Sequence, residues 1–401
     1  TYTQWVKQTI PVNKPISGIK FIDSLKGWAC TSIGTGGANY AYILYTTNGG
    51  TNWLLQDSSF NATYGAICIL NSNIAYCGGY DFTSNSANLK KTTNGGANWI
   101  SIPTPTNMAI GDMVFLNQDS GWSCSSNIGP DVRTTTNGGL NWIVRTSGIA
   151  QQTQRLFFLN YNTGFCGANS FLYKTTNAGL IWVLIGNFTE QVKSIFFPDQ
   201  NTGWVGATGA KIFFTTNSGI NWLTQTTPGF AGTTTDIYFV NSQTGWGGGS
   251  TSVVCKTTNG GSNWGYQLDT SQSFRISILD SLIGWTAQFG ISRTTNGGGI
   301  IVYTGFVNNG NEVPVKFILH ENYPNPFNPA TTIKLDLPKS SNVNLIICDM
   351  LGRELYSIVN EYLRTGSYEF TWDARSYSSG IYFYRLTTNN FTETKKMILI
   401  K

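Results

Sequence analysis

Four charged residues fall at one position of a repeated pattern and offer the first chemistry to weigh. Aligning the apolar segments that open each repeat puts Gly18, Ala66, Asp112, Arg155, Ser194, Asp236 and Arg275 at equivalent places. If those segments line a channel, two carboxylates and two guanidiniums near its mouth can grip a zwitterion or a sugar. The same side chains have a plainer use. Asp112 and Arg155 stand on neighbouring repeats, as do Asp236 and Arg275. Each opposite pair is expected to neutralise itself, and an exposed pair contributes only about 0–1 kcal/mol.

Other chemistry is scarce. His320 is the single histidine, which excludes a Ser/His/Asp triad or a histidine metal site from the repeats. No loop of alternating aspartates suits calcium, and the glycine run at 247–250 has no following helix to hold phosphate. No cofactor is expected. The net charge of +5 comes from 25 basic and 20 acidic residues without a basic stripe, so nucleic acid is not an expected partner. No apolar run reaches the roughly 18 residues that cross a bilayer as a helix. The chain opens at Thr1 rather than Met, as a processed secretory N-terminus or a trimmed chain would. Seven cysteines leave at least one thiol unpaired or paired between chains. Cys30, Cys77, Cys124 and Cys166 alternate with Gly or Ala in the repeats and read as small buried filler, and only Cys68 and Cys77 could meet across a hairpin.

The elements that must position these residues recur. A turn of the type KTTNGGANW, residues 91–99, places its first asparagine at 48, 94, 137, 177, 217, 259 and 296, with spacings of 46, 43, 40, 40, 42 and 37. Within each unit an apolar strand such as SIFF (194–197) leads to a Gly-Trp strand such as TGWVGA (202–207). A third strand such as KIFFTTN (211–217) precedes the turn, and a fourth opens at a tryptophan, as in NWLTQ (221–225). A period near 40 residues with four short strands defines propeller blades. The fourth-strand tryptophan stands at 53, 99, 142, 182, 222 and 264, but Ile301 replaces it in the seventh unit. Trp5, in TQWVKQ (3–8), supplies the missing copy, so the N-terminal strand is expected to form the outer edge of blade seven.

The repeated turn is structural on this reading. Asn-Gly tolerates positive φ, and the side chains of Asn48, Asn94, Asn137, Asn177, Asn217, Asn259 and Asn296 can accept the turn's backbone N–H groups. The threonines can cap it and the tryptophan can cover it. Residues 1–305 thereby resemble the Asp-box propellers, a group that includes sialidase-like, sortilin-like and photosystem-assembly-factor-like members, with Asn where that group usually has Asp. The resemblance raises glycoside hydrolysis. Sialidase chemistry would need a trio of arginines, a Tyr/Glu nucleophile pair and an acid/base. The span holds five arginines, two beside turn motifs, and Glu190 as its one glutamate. No catalytic residue is expected. A sugar-binding surface would need loop aromatics such as Tyr64, Tyr80 or Phe82, because every tryptophan of the repeats is accounted for on a strand.

After Phe306 the repeat ends. Residues 306–320 read as a linker and 321–401 as short alternating strands, a small sandwich. YPNPFNP (323–329) opens it, and its prolines bar that segment from a central strand. With the Asp-x-x-Gly-Arg turn at 349–353, WDA at 372–374, SGIYFYRL at 379–386 and the terminal KKMILIK, this segment resembles the type A C-terminal sorting domain of type IX secretion. Tyr323, Pro324, Asn325, Pro326, Gly380, Tyr382, Lys395 and Lys396 carry the motif. The resemblance implies export to the outer-membrane surface or the extracellular space, with the type IX machinery as a partner.

The expected fold class is all-β: a seven-bladed β-propeller closed by the N-terminal strand, followed by a small immunoglobulin-like β-sandwich. The leading expectation for function is a secreted, non-enzymatic interaction scaffold with an unknown protein or glycan partner. Two alternatives stand beside it. One is a subunit that assembles with itself into a filament or sheath, using the retained sorting domain as connector; the other is a lectin or glycoside hydrolase.

Overall fold

The computed structural model describes residues 5–32, 40–105, 107–125, 129–227, 232–249, 252–269, 271, 274–299, 314–363 and 365–400. Every regular element among them is a strand. Ile301 and the stretch 306–312 lie outside the described residues.

Seven four-stranded antiparallel sheets form the propeller blades. Six are contiguous in sequence. The seventh runs Arg275–Ile278, Gly284–Ala287, Ile291–Thr294 and then Val6–Gln8 from the other end of the chain. Val6 pairs with Arg293 and Gln8 with Ile291, while the Trp5 ring is buried and donates Nε1–H to Gln267 Oε1 at 3.3 Å. The N-terminal strand therefore closes the ring, and no blade is left with an unpaired seam.

Composition within a blade follows position. Second strands are covered on both faces, so GWACT (27–31), GFCGA (164–168), GWVGA (203–207) and GWGGG (245–249) are buried throughout. Only small residues and one aromatic fit there. The aromatic stacks on the first strand of the next blade: Trp285 on Phe21, Tyr76 on Phe115, Trp122 on Phe158, Phe165 on Phe197 and Trp204 on Phe239, at centroid separations of 3.4–4.0 Å. The tryptophan after the turn meets the same ring edge-on in five blades, as Trp53 does Phe21 and Trp222 does Phe197. The glycine before four of these five stacking residues has a reason too, with Ala75 in its place before Tyr76. A Cβ on Gly203 would lie 2.2 Å from the Phe197 ring.

The cysteines follow this packing. All seven are free thiols, and Cys68 cannot bridge Cys77. Cys77 pairs with Ile67, and Cys68 with Tyr76, so a one-residue offset sends the two side chains to opposite faces. Cys30 and Cys77 share one buried cluster between blades one and two, and Cys124 and Cys166 share another between blades three and four. Burial pushes the Cys77, Cys124 and Cys166 thiols up.

The second unit is a sandwich of a three-stranded and a four-stranded sheet around Leu335, Leu345, Phe370, Trp372, Tyr384 and Met397. It starts earlier than the sequence suggested. Ile318–Leu319, inside the stretch read as linker, pairs with Leu335 and Asp336. YPNPFNP forms a hook under the last strand, Thr392–Leu399. Phe327 exchanges backbone hydrogen bonds with Ile398 and Ile400 and packs its ring on Trp372. Asn325 accepts from Ile398 N–H at 3.0 Å and donates to Lys396 O at 3.3 Å.

Candidate functional site

The inner strands of the blades surround a central channel of about 540 Å³. The seven aligned positions occupy one register in it. Gly18 pairs with Cys30, Ala66 with Gly78, Asp112 with Cys124, Arg155 with Gly167, Ser194 with Gly206, Asp236 with Gly248 and Arg275 with Ala287. In five blades a β-bulge directly precedes that position. A bulge leaves its extra residue outside the ladder, with a free backbone group to satisfy.

That need explains the arginines, and the open edge of each first strand explains the aspartates, better than mutual pairing does. Among the described residues Asp112 makes no ion pair with Arg155, nor Asp236 with Arg275, contrary to the expectation from sequence. Asp112 Oδ2 instead accepts from Leu156 N–H of the next blade at 3.0 Å, and Asp236 Oδ2 accepts from Ile276 N–H of its next blade at 3.1 Å. Their Oδ1 atoms accept from Met113 and Ile237 N–H. The arginines do the converse. Arg155 Nε donates to Lys193 O at 2.6 Å and Arg275 Nε to Ser17 O at 2.8 Å, and both carbonyls belong to bulge residues of the following blade. Ser17 Oγ continues the series by donating to Tyr64 O at 2.6 Å. Five of the seven inter-blade seams are thus stitched at one level.

The electrostatics fit this use. Burial raises the Asp112 carboxyl above its ordinary value, although Arg155 and Arg275 pull the other way. Burial and the nearby Arg155 lower Arg275, against the pull of Asp236 and Asp112. One step further along the inner strands the lining changes to Lys20, Cys68, Val114, Phe157, Phe196 and Tyr238. Phe196 lies 5.9 Å from Phe157 and 5.0 Å from Tyr238, which makes one wall aromatic. Burial raises the Cys68 thiol, whose Sγ lies 3.3 Å from Phe115 N, so it is a neutral, engaged group rather than a poised nucleophile. The described residues hold no cluster of potential metal ligands.

The seven repeated turns share one geometry. The hydroxyl of the first threonine donates to the asparagine Oδ1 at 2.9–3.0 Å in every copy. It also accepts the N–H of the glycine two residues after the asparagine at 2.7–3.0 Å. Asn48, Asn94, Asn137, Asn177, Asn217 and Asn259 each accept a further N–H four residues on, at 2.9–3.0 Å. For Asn296 that position is outside the described residues.

One copy differs. Asn259 is buried, and its Nδ2 donates to Ile358 O of the sandwich at 3.1 Å. Ser262 in the same turn lies 3.5 Å from the Tyr356 hydroxyl. Ile358 sits at a bulge of the edge strand Glu354–Leu363, so the propeller satisfies a carbonyl that the ladder leaves over. Sequence reasoning gave this turn no special place. Its only hint is Ser262, at a position where the three preceding copies carry Leu140, Leu180 and Ile220.

The proposed loop aromatics separate. Tyr64 is fully buried, with its hydroxyl 2.8 Å from Ser59 Oγ, and cannot serve as a platform, whereas Phe82 is exposed and stands edge-on to Tyr80. Among the sorting-motif residues, Lys395 pairs with Glu321 at 2.7 Å, Tyr382 donates to Ser378 O, and Tyr323 projects into solvent. Pro324 O accepts from Asn322 and Thr331, Gly380 pairs with Leu399 and Lys396 with Phe383, and Pro326 continues the hook. Two supports were not singled out from sequence: buried Asn322, and Tyr384, whose hydroxyl accepts Asn322 N–H and donates to His320 O.

Residues 321–401 match the family described as the secretion system C-terminal sorting domain. This type IX sorting domain makes the chain a secreted protein of the outer-membrane surface or extracellular space. No helix among the described residues is long and apolar enough to cross a membrane. No curated protein matches the sequence. Among solved structures, YCF48 bound to a D1 peptide is similar at 19% identity and a TM-score of 0.59, over 74% of this chain and 98% of that one. PorZ, an essential bacterial surface component of the type IX secretion system of Porphyromonas gingivalis, is similar at 13% identity and a TM-score of 0.54, over 98% of this chain and 60% of its own. The GH74 enzyme of Niastella koreensis is similar at 12% identity and a TM-score of 0.54, over 83% of this chain and 59% of that one. These likenesses establish the propeller fold.

Proposed function

We propose that this protein is a non-enzymatic interaction scaffold, carried to the cell surface by its sorting domain. The organisation we assign is a propeller over 1–305, a connector over 306–320 and a sorting sandwich over 321–401, with Ile318–Leu319 already part of the sandwich sheet. The observation that carries the reading is the use of the channel charges. Asp112, Asp236, Arg155 and Arg275 hold the backbone of neighbouring blades, and a carboxylate with both oxygens so engaged is poorly placed to move protons. The likeness to YCF48, a propeller solved with a peptide bound, supports a protein or peptide as the partner class, while the GH74 likeness keeps glycoside hydrolysis as the rival. The sorting domain would deliver the propeller through the type IX machinery. Purified full-length protein incubated with a panel of polysaccharides should release no reducing ends, and turnover abolished by Asp112→Asn or Asp236→Asn would overturn the reading.

A further inference from the structure

The outer rim of blades three to five carries a strip of exposed apolar side chains that no described residue covers. At the exposed tip of their turns stand Leu140, Leu180 with Ile181, and Ile220, between 52% and 79% exposed. The corresponding residues of blades one, two and six are Thr51, Ala97 and Ser262. The first outer-strand residues Ile143, Val183 and Leu223 are exposed as well.

Each turn leans on the preceding blade. Trp182 Nε1–H donates to Arg145 O and Trp222 Nε1–H to Ile185 O, both at 2.9 Å. Trp264 Nε1–H donates to Gln225 Oε1 at 3.1 Å, which brings the strip to the sixth turn, where the sandwich sits. The segments 134–144, 175–187 and 215–227 contain no charged residue. Exposed aliphatic side chains repeated on three successive blades fit an interaction site.

The same molecule carries a matching surface. The hairpin joining Ser341–Cys348 to Glu354–Leu363 places Met350 and Leu351 at its tip, 71% and 77% exposed, on a turn held by Asp349 and Arg353. The second strand of that hairpin is the one that already rests on the sixth turn through Ile358. The sixth turn shows that a turn of this backbone geometry receives this strand, there with Ser262 at the position where turns three to five carry an aliphatic side chain. The apolar tip beside the strand remains exposed.

We infer that the occupant of the strip is a second copy of this chain, which inserts the Met350–Leu351 hairpin tip against the turns of blades three to five. The inference deepens the scaffold reading by naming its partner. Strip and hairpin are different surfaces, so the contact is heterologous: each copy offers one of each, and the assembly grows head to tail. Size rises with concentration until the ends meet or a fibre forms.

The test uses full-length protein in sedimentation velocity and electron microscopy across a range of concentrations. Wild type should form species larger than dimers. A strip variant (Leu140→Thr, Leu180→Thr, Ile220→Ser) and a hairpin variant (Met350→Ser, Leu351→Ser) should each be monomeric, with a dissociation constant raised about tenfold or more for each anchor lost. Mixing the two variants should restore dimers and nothing larger, because one good strip then meets one good hairpin. Leu54→Ser on blade one should assemble like wild type. Wild type that is monomeric throughout overturns the inference. So does assembly lost in the strip variant but kept in the hairpin variant, which would mean strip against strip. Neither outcome touches the scaffold reading, which turns on hydrolysis.

Discussion

The two units of the chain hold themselves together in different ways. In the propeller, each blade is a small sheet whose main contacts go to its neighbours, and the same three devices recur around the ring: ring stacking, a tryptophan lid and backbone stitches at the channel. The sandwich has one core, and its last strand is held by the hook of Phe327 and Asn325 from the other end of the same unit. Repetition spreads stability over many equivalent seams, whereas the sandwich concentrates it in a few residues.

The sharpest way to break this contrast is to remove one ring from each unit. Trp204→Ala should cost about 3–5 kcal/mol and shift only the propeller transition in calorimetry. Phe327→Ala should cost a similar ~3–5 kcal/mol in the sandwich alone. A single merged transition responding to both would show that the units do not melt separately. Gly203→Ala, with its Cβ against the Phe197 ring, should cost about 1–3 kcal/mol by overpacking in urea titrations.

The junction provides a smaller test. Asn259→Ala and Asn217→Ala remove the same turn hydrogen bonds, but only Asn259 also serves Ile358. The first should therefore cost about 0.5–1.5 kcal/mol more than the second, and a double-mutant cycle with Tyr356→Phe should show coupling across the junction. The smallest effect concerns pH. The Asp112 carboxyl is raised in the folded state, so the native form holds its proton longer than the unfolded chain. Stability from this group is greatest at acid pH and declines as pH rises through the unfolded value of about 3.9 toward the raised folded one. Asp112→Asn should flatten that segment of the stability profile and leave its alkaline side unchanged.

Much of the architecture was readable from periodicity. The asparagine spacing defined the blades, and the missing tryptophan of the seventh repeat pointed to Trp5. Alignment also placed the channel residues in one register, but not what they bond to. Charge type in a sequence suggests Asp–Arg pairing, whereas three-dimensional register decides which backbone groups are left over: bulge carbonyls for the two arginines and first-strand N–H groups of the next blade for the two aspartates. The Cys68–Cys77 idea failed on a one-residue offset of the same kind. Tyr64 and Phe82 look alike in sequence, but Tyr64 lies within the inner strand Ala62–Ile69 and is buried, whereas Phe82 stands in the turn after Ala75–Asp81 and is exposed. The contact of Asn259 with Ile358 joins residues 99 apart and leaves no local trace.

Closure by Val6–Gln8 has a consequence for manufacture. Val6–Gln8, made before every other strand of the ring, must wait for Ile291–Thr294, made after the other six blades, before the disc can seal. A ribosome that stalls midway releases an arc with two raw flanks, and such a product also lacks the address label, because that label lies downstream of the final wedge. Export competence and a finished ring are therefore granted by the same stretch of synthesis, and faulty arcs stay behind.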